Sequence, residues 1–200
     1  VPELQIKSLR AKVRLAIGIA DDVNMELNLT LPAGKRKPKV GDVVISEFLS
    51  APTANDSSQY EFVEIYNGSI DTLDLENCTL GTTSIASKAW NIESTQIMPG
   101  EVMVFGDTSA KTPAKYFKTD KWSNLTNSKG SIVIQCNNIV LDSLFYSSEP
   151  DSLGVSYVPA LSSSKNGLSA QLNINVWEDR DKFENWCLGL PTPGTLSFCE

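Results

Sequence analysis

The stretch Tyr60-Glu61-Phe62-Val63-Glu64-Ile65-Tyr66-Asn67, "YEFVEIYN", decides how the chain is read. It is short and rich in aromatic and β-branched residues, the pattern of a β-strand, yet it carries two carboxylates. Residues three apart in a strand point to opposite faces and lie about 10 Å apart along it. Glu61 and Glu64 therefore cannot flank one scissile bond as the paired carboxylates of a glycosidase do. Val63 and Ile65 share the Glu61 face and read as core, which places Phe62, Glu64 and Tyr66 on an outer or rim face. There Glu64 can meet Glu47 of the neighbouring run "VVISEFL" (43–49). The simpler account of that meeting is a carboxylate that is hydrogen-bonded or paired with Lys or Arg; the sharper one is a hard-cation site.

Outward from this stretch the same texture repeats. Short β-rich runs follow Val43, separated by turn signals such as Pro99-Gly100 and Asn137-Asn138. Sustained helical periodicity is missing, apart from a weak trace in "DKFENW" (181–186). Many short strands at this spacing indicate a β-sandwich. "EVMVFG" (101–106) is apolar on both parities, as a central strand is; in "SIVIQC", Ile132, Ile134 and Cys136 share one face while Val133 and Gln135 share the other.

Upstream, Val13, Leu15, Ile17, Ile19, Met25, Leu27, Leu29 and Leu31 fall on odd positions around the turn "ADDVN", which predicts a two-stranded hairpin. A lone hairpin is marginal in water and must lean on something, in cis or on a second copy as a homo-oligomer contact. The expected organisation is a hairpin extension, or the remnant of a preceding domain, over 1–34, a basic linker over 35–42, and the sandwich over 43–200. The cluster "GKRKPK" (34–39) reads as a solvated linker ahead of a phosphate or acidic-partner contact.

Composition narrows the chemistry. Among 200 residues there is no His, which removes Ser-His-Asp, Cys-His and His-metal sites. A net charge of -7 argues against nucleic acid or anionic lipid as a partner. No run approaches the about 18 apolar residues of a membrane helix. The N-terminus has neither a starting Met nor the order of a signal peptide, so the chain is expected to be a processed or excised fragment. No catalytic, cofactor-binding or metal site is expected, and no cofactor.

Four cysteines, Cys78, Cys136, Cys187 and Cys199, have no C-x-x-C spacing, which disfavours zinc, allows two disulfides and favours an exported location. Cys187 and Cys199 enclose a C-terminal loop whose closure is worth about 3 kcal/mol, and a bridge is expected there. Cys78 and Cys136 lie in predicted strands, either as a second bridge across the sandwich or as two buried thiols.

In "WEDRDKFENW" (177–186), internal pairing of acids and bases on a solvated loop is the simpler reading. Trp90, Tyr116, Trp122 and Trp177 would supply an aromatic platform if a sugar or peptide binds, with core packing the alternative for most of them.

The order of motifs resembles the lamin tail domain, an immunoglobulin-like β-sandwich, and within that family its exported or surface bacterial branch. The resemblance rests on "VVISEFL", "YEFVEIYN", "LDLENCTL" (73–80, with Cys78 where Trp is usual), "IMPGEVMVFGD" (97–107), the segment 122–147, and "ENWCLGLPTPG" (184–194). It covers residues 43–199, and exported members carry cysteines at places similar to Cys187 and Cys199. It implies a non-catalytic interaction or anchoring module of a larger exported or cell-surface protein, binding protein or envelope partners. A carbohydrate-binding module and a structural spacer attached to a secreted enzyme are the alternatives.

Overall fold

The computed structural model describes residues 8–15, 23–30, 34–52, 61–81, 90–107, 116–119, 125–149 and 167–198. Within these, β1 (Ser8–Leu15) and β2 (Val23–Thr30) form a two-stranded antiparallel sheet of their own, with Val13 opposite Met25. The rest is an all-β, immunoglobulin-like sandwich. Its strands are β3 (Lys35–Arg36), β4 (Val43–Leu49), β5 (Phe62–Asn67), β6 (Thr72–Asp74), β7 (Cys78–Gly81), β8 (Trp90–Asn91), β9 (Gln96–Ile97), β10 (Val102–Asp107), β11 (Tyr116–Thr119), β12 (Lys129–Cys136), β13 (Ile139–Ser147), β14 (Ser169–Leu172) and β15 (Trp186–Gly189). A six-stranded sheet runs β11-β10-β5-β4-β14-β15, a four-stranded sheet β13-β12-β7-β8, and a small third sheet β3-β6-β9.

The core lies where alternating residues of the two large sheets meet: Ile45, Phe48, Val63, Ile65 and Phe105 from one, Leu80, Ile132, Ile134 and Leu141 from the other. The two faces read from "SIVIQC" are as expected, with Ile132, Ile134 and Cys136 buried and Val133 and Gln135 partly exposed. The opposite face of β5 departs from expectation. Phe62 and Glu64 are as buried as Val63, because Leu49, Phe62 and Val104 form a second apolar cluster there and the C-terminal segment covers Glu64.

Two irregularities set the register. In β4, Ile45 pairs with Ile65 but Glu47 pairs with Glu64, so Ser46 is an extra residue, a β-bulge. It places Ile45 and Phe48 inward and Glu47 and Leu49 on the far face, a parity that simple alternation of "VVISEFL" would not give. A second shift in the β12–β13 pairing makes Leu141 the extra residue. The two bulges meet: the Asp142 carboxylate accepts the Ile45 N–H at 2.8 Å, tying the edge strand of one sheet to the centre of the other.

The first two residues of the basic run, Lys35 and Arg36, form a short strand. Lys35 and Arg36 pair in parallel with Thr72 and Leu73, and the cations meet acids of the sandwich. Arg36 holds Asp42 through both Nη atoms (Nη2 to Oδ1, 2.9 Å) and also binds Asp71; Lys35 and Lys37 each reach Asp74 at 3.3 Å. Clustered cations repel one another in solution, and the facing acids of the β6 region offset that repulsion while Lys35 and Arg36 pair as a two-residue strand.

Candidate functional site

The carboxylates singled out in the sequence converge on the far face of the six-stranded sheet. Strand register sets Val104, Glu64, Glu47, Gln171 and Cys187 in one row across β10, β5, β4, β14 and β15. Glu47 and Glu64 are about as buried as the core, at 2% and 1% exposure. Every carboxylate oxygen of the pair accepts a hydrogen bond. Glu64 Oε1 takes the Ser46 hydroxyl and Oε2 the Gly194 N–H, both at 2.8 Å. Glu47 Oε1 takes the Ser169 hydroxyl at 2.6 Å, the Thr192 N–H at 2.9 Å and the Gln171 amide at 3.3 Å; Oε2 takes the Thr192 hydroxyl at 3.0 Å. Gln171 also donates to the Leu190 carbonyl at 2.7 Å.

The segment Leu190–Ser197 thus folds back over the sheet and is fastened by its own polar atoms to a row of acidic and amide groups. Gly194 turns it with φ +84°, a left-handed conformation that suits glycine. Burial pushes the Glu64 carboxyl up to about 8, against the pull of Gly194 and Ser46 and with the neighbouring Glu47 charge adding to the rise. Burial raises Glu47 as well, opposed by Ser169, Thr192 and Gln171. Two adjacent carboxylates cut off from water hold protons jointly, so the pair titrates as a unit. With a donor from the chain on each of the four buried oxygens, the arrangement fastens a chain segment to the sheet.

The strand's other polar residues are structural too. Glu61, on the core side as its parity requires, accepts the Leu125 N–H at 2.8 Å. Asn67 is fully buried; its amide donates to the carbonyls of Asp71 (2.9 Å) and Ile97 (3.1 Å) and accepts from Ser69 N–H (2.9 Å) and Oγ (2.7 Å), joining two turns.

Cys78 and Cys136 form a disulfide, and they are directly opposite in the β7–β12 register. The bridge therefore links neighbouring strands within one sheet and does not cross the sandwich. The sequence leaves open a bridge across the sandwich or two buried thiols, because strand membership alone does not say which strands are adjacent. Cys187 is disulfide-bonded, and Cys199 lies outside the described residues.

In "WEDRDKFENW", Lys182 pairs with Asp179 as the internal reading expects, at 2.8 Å. Arg180 instead reaches out of the loop: its Nε donates to Asp142 Oδ1 at 2.7 Å, and its carbonyl accepts the Trp186 indole N–H at 2.7 Å. Trp186 in turn packs edge-on against Phe48. Of the four aromatic residues proposed as a platform, Trp177 lies against Gly68 and the core margin; the side chains of Trp90 and Tyr116, and all of Trp122, lie outside the described residues.

The profile of the Lamin Tail Domain family matches residues 36–148, more than half of the chain. The chain belongs to the lamin tail domain family. Its matched region starts at Arg36, which accords with Lys35 and Arg36 being a strand of the domain. It ends just after β13, so the lamin tail match does not include Thr192 and Gly194, the residues that cap the glutamate pair. No curated protein and no solved structure matches the chain. Among the described residues no helix is long and apolar enough to cross a membrane.

Proposed function

We propose that this lamin tail domain is a non-catalytic docking module that attaches a larger exported or cell-surface protein to a protein or envelope partner. The observation that carries the reading is the surface of β13. It is the outer strand of the four-stranded sheet and leaves Ile139, Val140 and Phe145 at 55%, 46% and 59% exposure. Exposed apolar side chains along an edge strand are what a partner strand or apolar partner surface engages. The buried carboxylates accept hydrogen bonds that hold loops and sheets together, and β13 is the strand that carries three exposed large apolar side chains. Export is supported by the Cys78–Cys136 bridge, since reducing compartments disfavour such bonds. Cys187–Cys199 is proposed as the second bridge, closing the capping segment, and residues 1–34 as a separate hairpin extension.

A photo-crosslinking residue at position 145, incubated with the native envelope fraction, tests the reading. A discrete crosslinked partner at 145 and none from a control probe at exposed Glu178 is the expected result. Equal labelling from both positions, or none from either, overturns it.

A further inference from the structure

At the far end of the four-stranded sheet from Phe145, a second polar cluster differs in kind from the glutamate row. Gln135, Thr79 and Asn91 sit opposite one another across β12, β7 and β8, forming a straight row on the sheet's outward face. Three further amides frame the row: Asn77, from the turn before β7, and Asn137 and Asn138, from the tight β12–β13 turn. Together they line a cleft of about 470 Å³, within the range of small-ligand sites. Asn77, Asn137 and Asn138 hold left-handed backbone conformations, with φ of +64°, +49° and +64°, and the Asn137 N–H donates to the Asn77 carbonyl at 3.3 Å.

The floor is rigid for a covalent reason. Cys78 follows Asn77 and Cys136 precedes Asn137, so the disulfide pins the two turns that carry the amides. Such pre-organisation lowers the ordering cost of binding. Among the described residues the five amide side chains have no protein hydrogen-bond partner, unlike those of Asn67 and Gln171. Thr79 Oγ1 is shielded from solvent, so contact falls to the amides around it.

The lining selects the ligand. Among the described residues its one ionisable group is Glu76, whose carboxylate faces Lys37 at 3.4 Å, so no described group there balances an anion. Among the described lining residues Ile92 is the one large apolar residue and is buried, which gives no pocket for a peptide side chain or a lipid tail. Each primary amide presents two donors and an acceptor. That set matches vicinal hydroxyls, which donate and accept at similar spacing, and Val140, opposite Gln135, offers an apolar neighbour for a sugar's C–H face.

We propose that this cleft binds a neutral carbohydrate. The site borders Val140 of the β13 surface and is distinct from the Phe145 end of that strand and from the aromatic platform suggested by the sequence. The test is a titration of the whole chain with cellotriose, maltotriose and chitotriose, followed through the side-chain amide resonances of Asn77, Asn91, Gln135, Asn137 and Asn138. Gly-Ser-Gly peptide and inorganic phosphate serve as comparison probes. Saturable shifts of these amides with at least one oligosaccharide are expected, with binding about tenfold weaker in N91A/Q135A at an unchanged melting temperature. N138S, on the turn, provides an independent weakening should the double variant fold poorly. No amide shift with any sugar, stronger response to the peptide or phosphate, or sugar binding that both variants retain would overturn the assignment.

Discussion

Two polar clusters lie on the outward faces of the two main sheets, and they differ in how their hydrogen-bonding capacity is met. Around Glu47 and Glu64 each oxygen has a donor from within the chain, and the C-terminal segment seals the row from water. Around Gln135 and Asn91 the amides face solvent over a disulfide-pinned floor. A polar row with all partners supplied internally holds the fold; a rigid one left open is available for a ligand. Charge alone would have suggested the opposite, since carboxylate pairs are the usual mark of chemistry.

The largest expected effect sharpens the contrast at the floor of the cleft. C78A/C136A removes a bridge between residues separated by 58 positions, and the chain-entropy relation puts the loss at about 4 kcal/mol. Chemical denaturation should show that loss while the folded variant binds sugar more weakly, because the Asn77 and Asn137 turns loosen. Stability equal to the parent would show that the cleft floor is rigid without the bridge.

Next comes the sealed row. Glu47→Ala leaves the Ser169 hydroxyl, the Gln171 amide and the Thr192 N–H without their acceptor, at a cost of about 3 kcal/mol. Limited proteolysis should then cut within 190–197 faster than in the parent. By comparison N91A/Q135A, on the open row, should move stability by less than about 0.5 kcal/mol. Similar losses from both variants would erase the distinction between the two clusters.

A third effect is graded by pH. Glu64 titrates near 8 in the folded chain, above an ordinary glutamate, so the folded state holds the proton more tightly than the unfolded one. Its contribution to stability is complete below the unfolded value of 4.5 and is lost as pH rises through about 8. The slope in that window is at most about 1.4 kcal/mol per pH unit for one proton. Melting temperatures should fall between pH 5 and 8, and Glu64→Gln, which still offers an acceptor to the Gly194 N–H, should flatten the fall. An unchanged slope in that variant would assign the pH dependence to other groups.

Much of the fold was legible because strand faces follow from period-2 alternation. "SIVIQC" divides as its side chains predict, and parity alone separates Glu61 from Glu64. The ordered landmarks from "VVISEFL" to the β12–β13 hairpin identified the family. The candidate site was less legible. Gln171 and Thr192 carry no local signal of contact with Glu47, more than a hundred residues away in sequence. Asn137-Asn138 was readable as a turn, but not as one wall of a cleft whose floor comes from β7 and β8.

Sequence by itself indicated most of the strands, the pairing of β1 with β2, the core side of β5, both faces of β12 and membership of the lamin tail family, because these depend on residue preferences a few positions apart. Only the tertiary structure decided which strands are neighbours. The Ser46 bulge brought Glu47 opposite Glu64, the Cys78–Cys136 bond stayed within one sheet, and the basic run, a strand at Lys35 and Arg36, set its cations against Asp42, Asp71 and Asp74. Each is a long-range pairing, fixed by burial and charge neutralisation across the fold, to which local periodicity is blind.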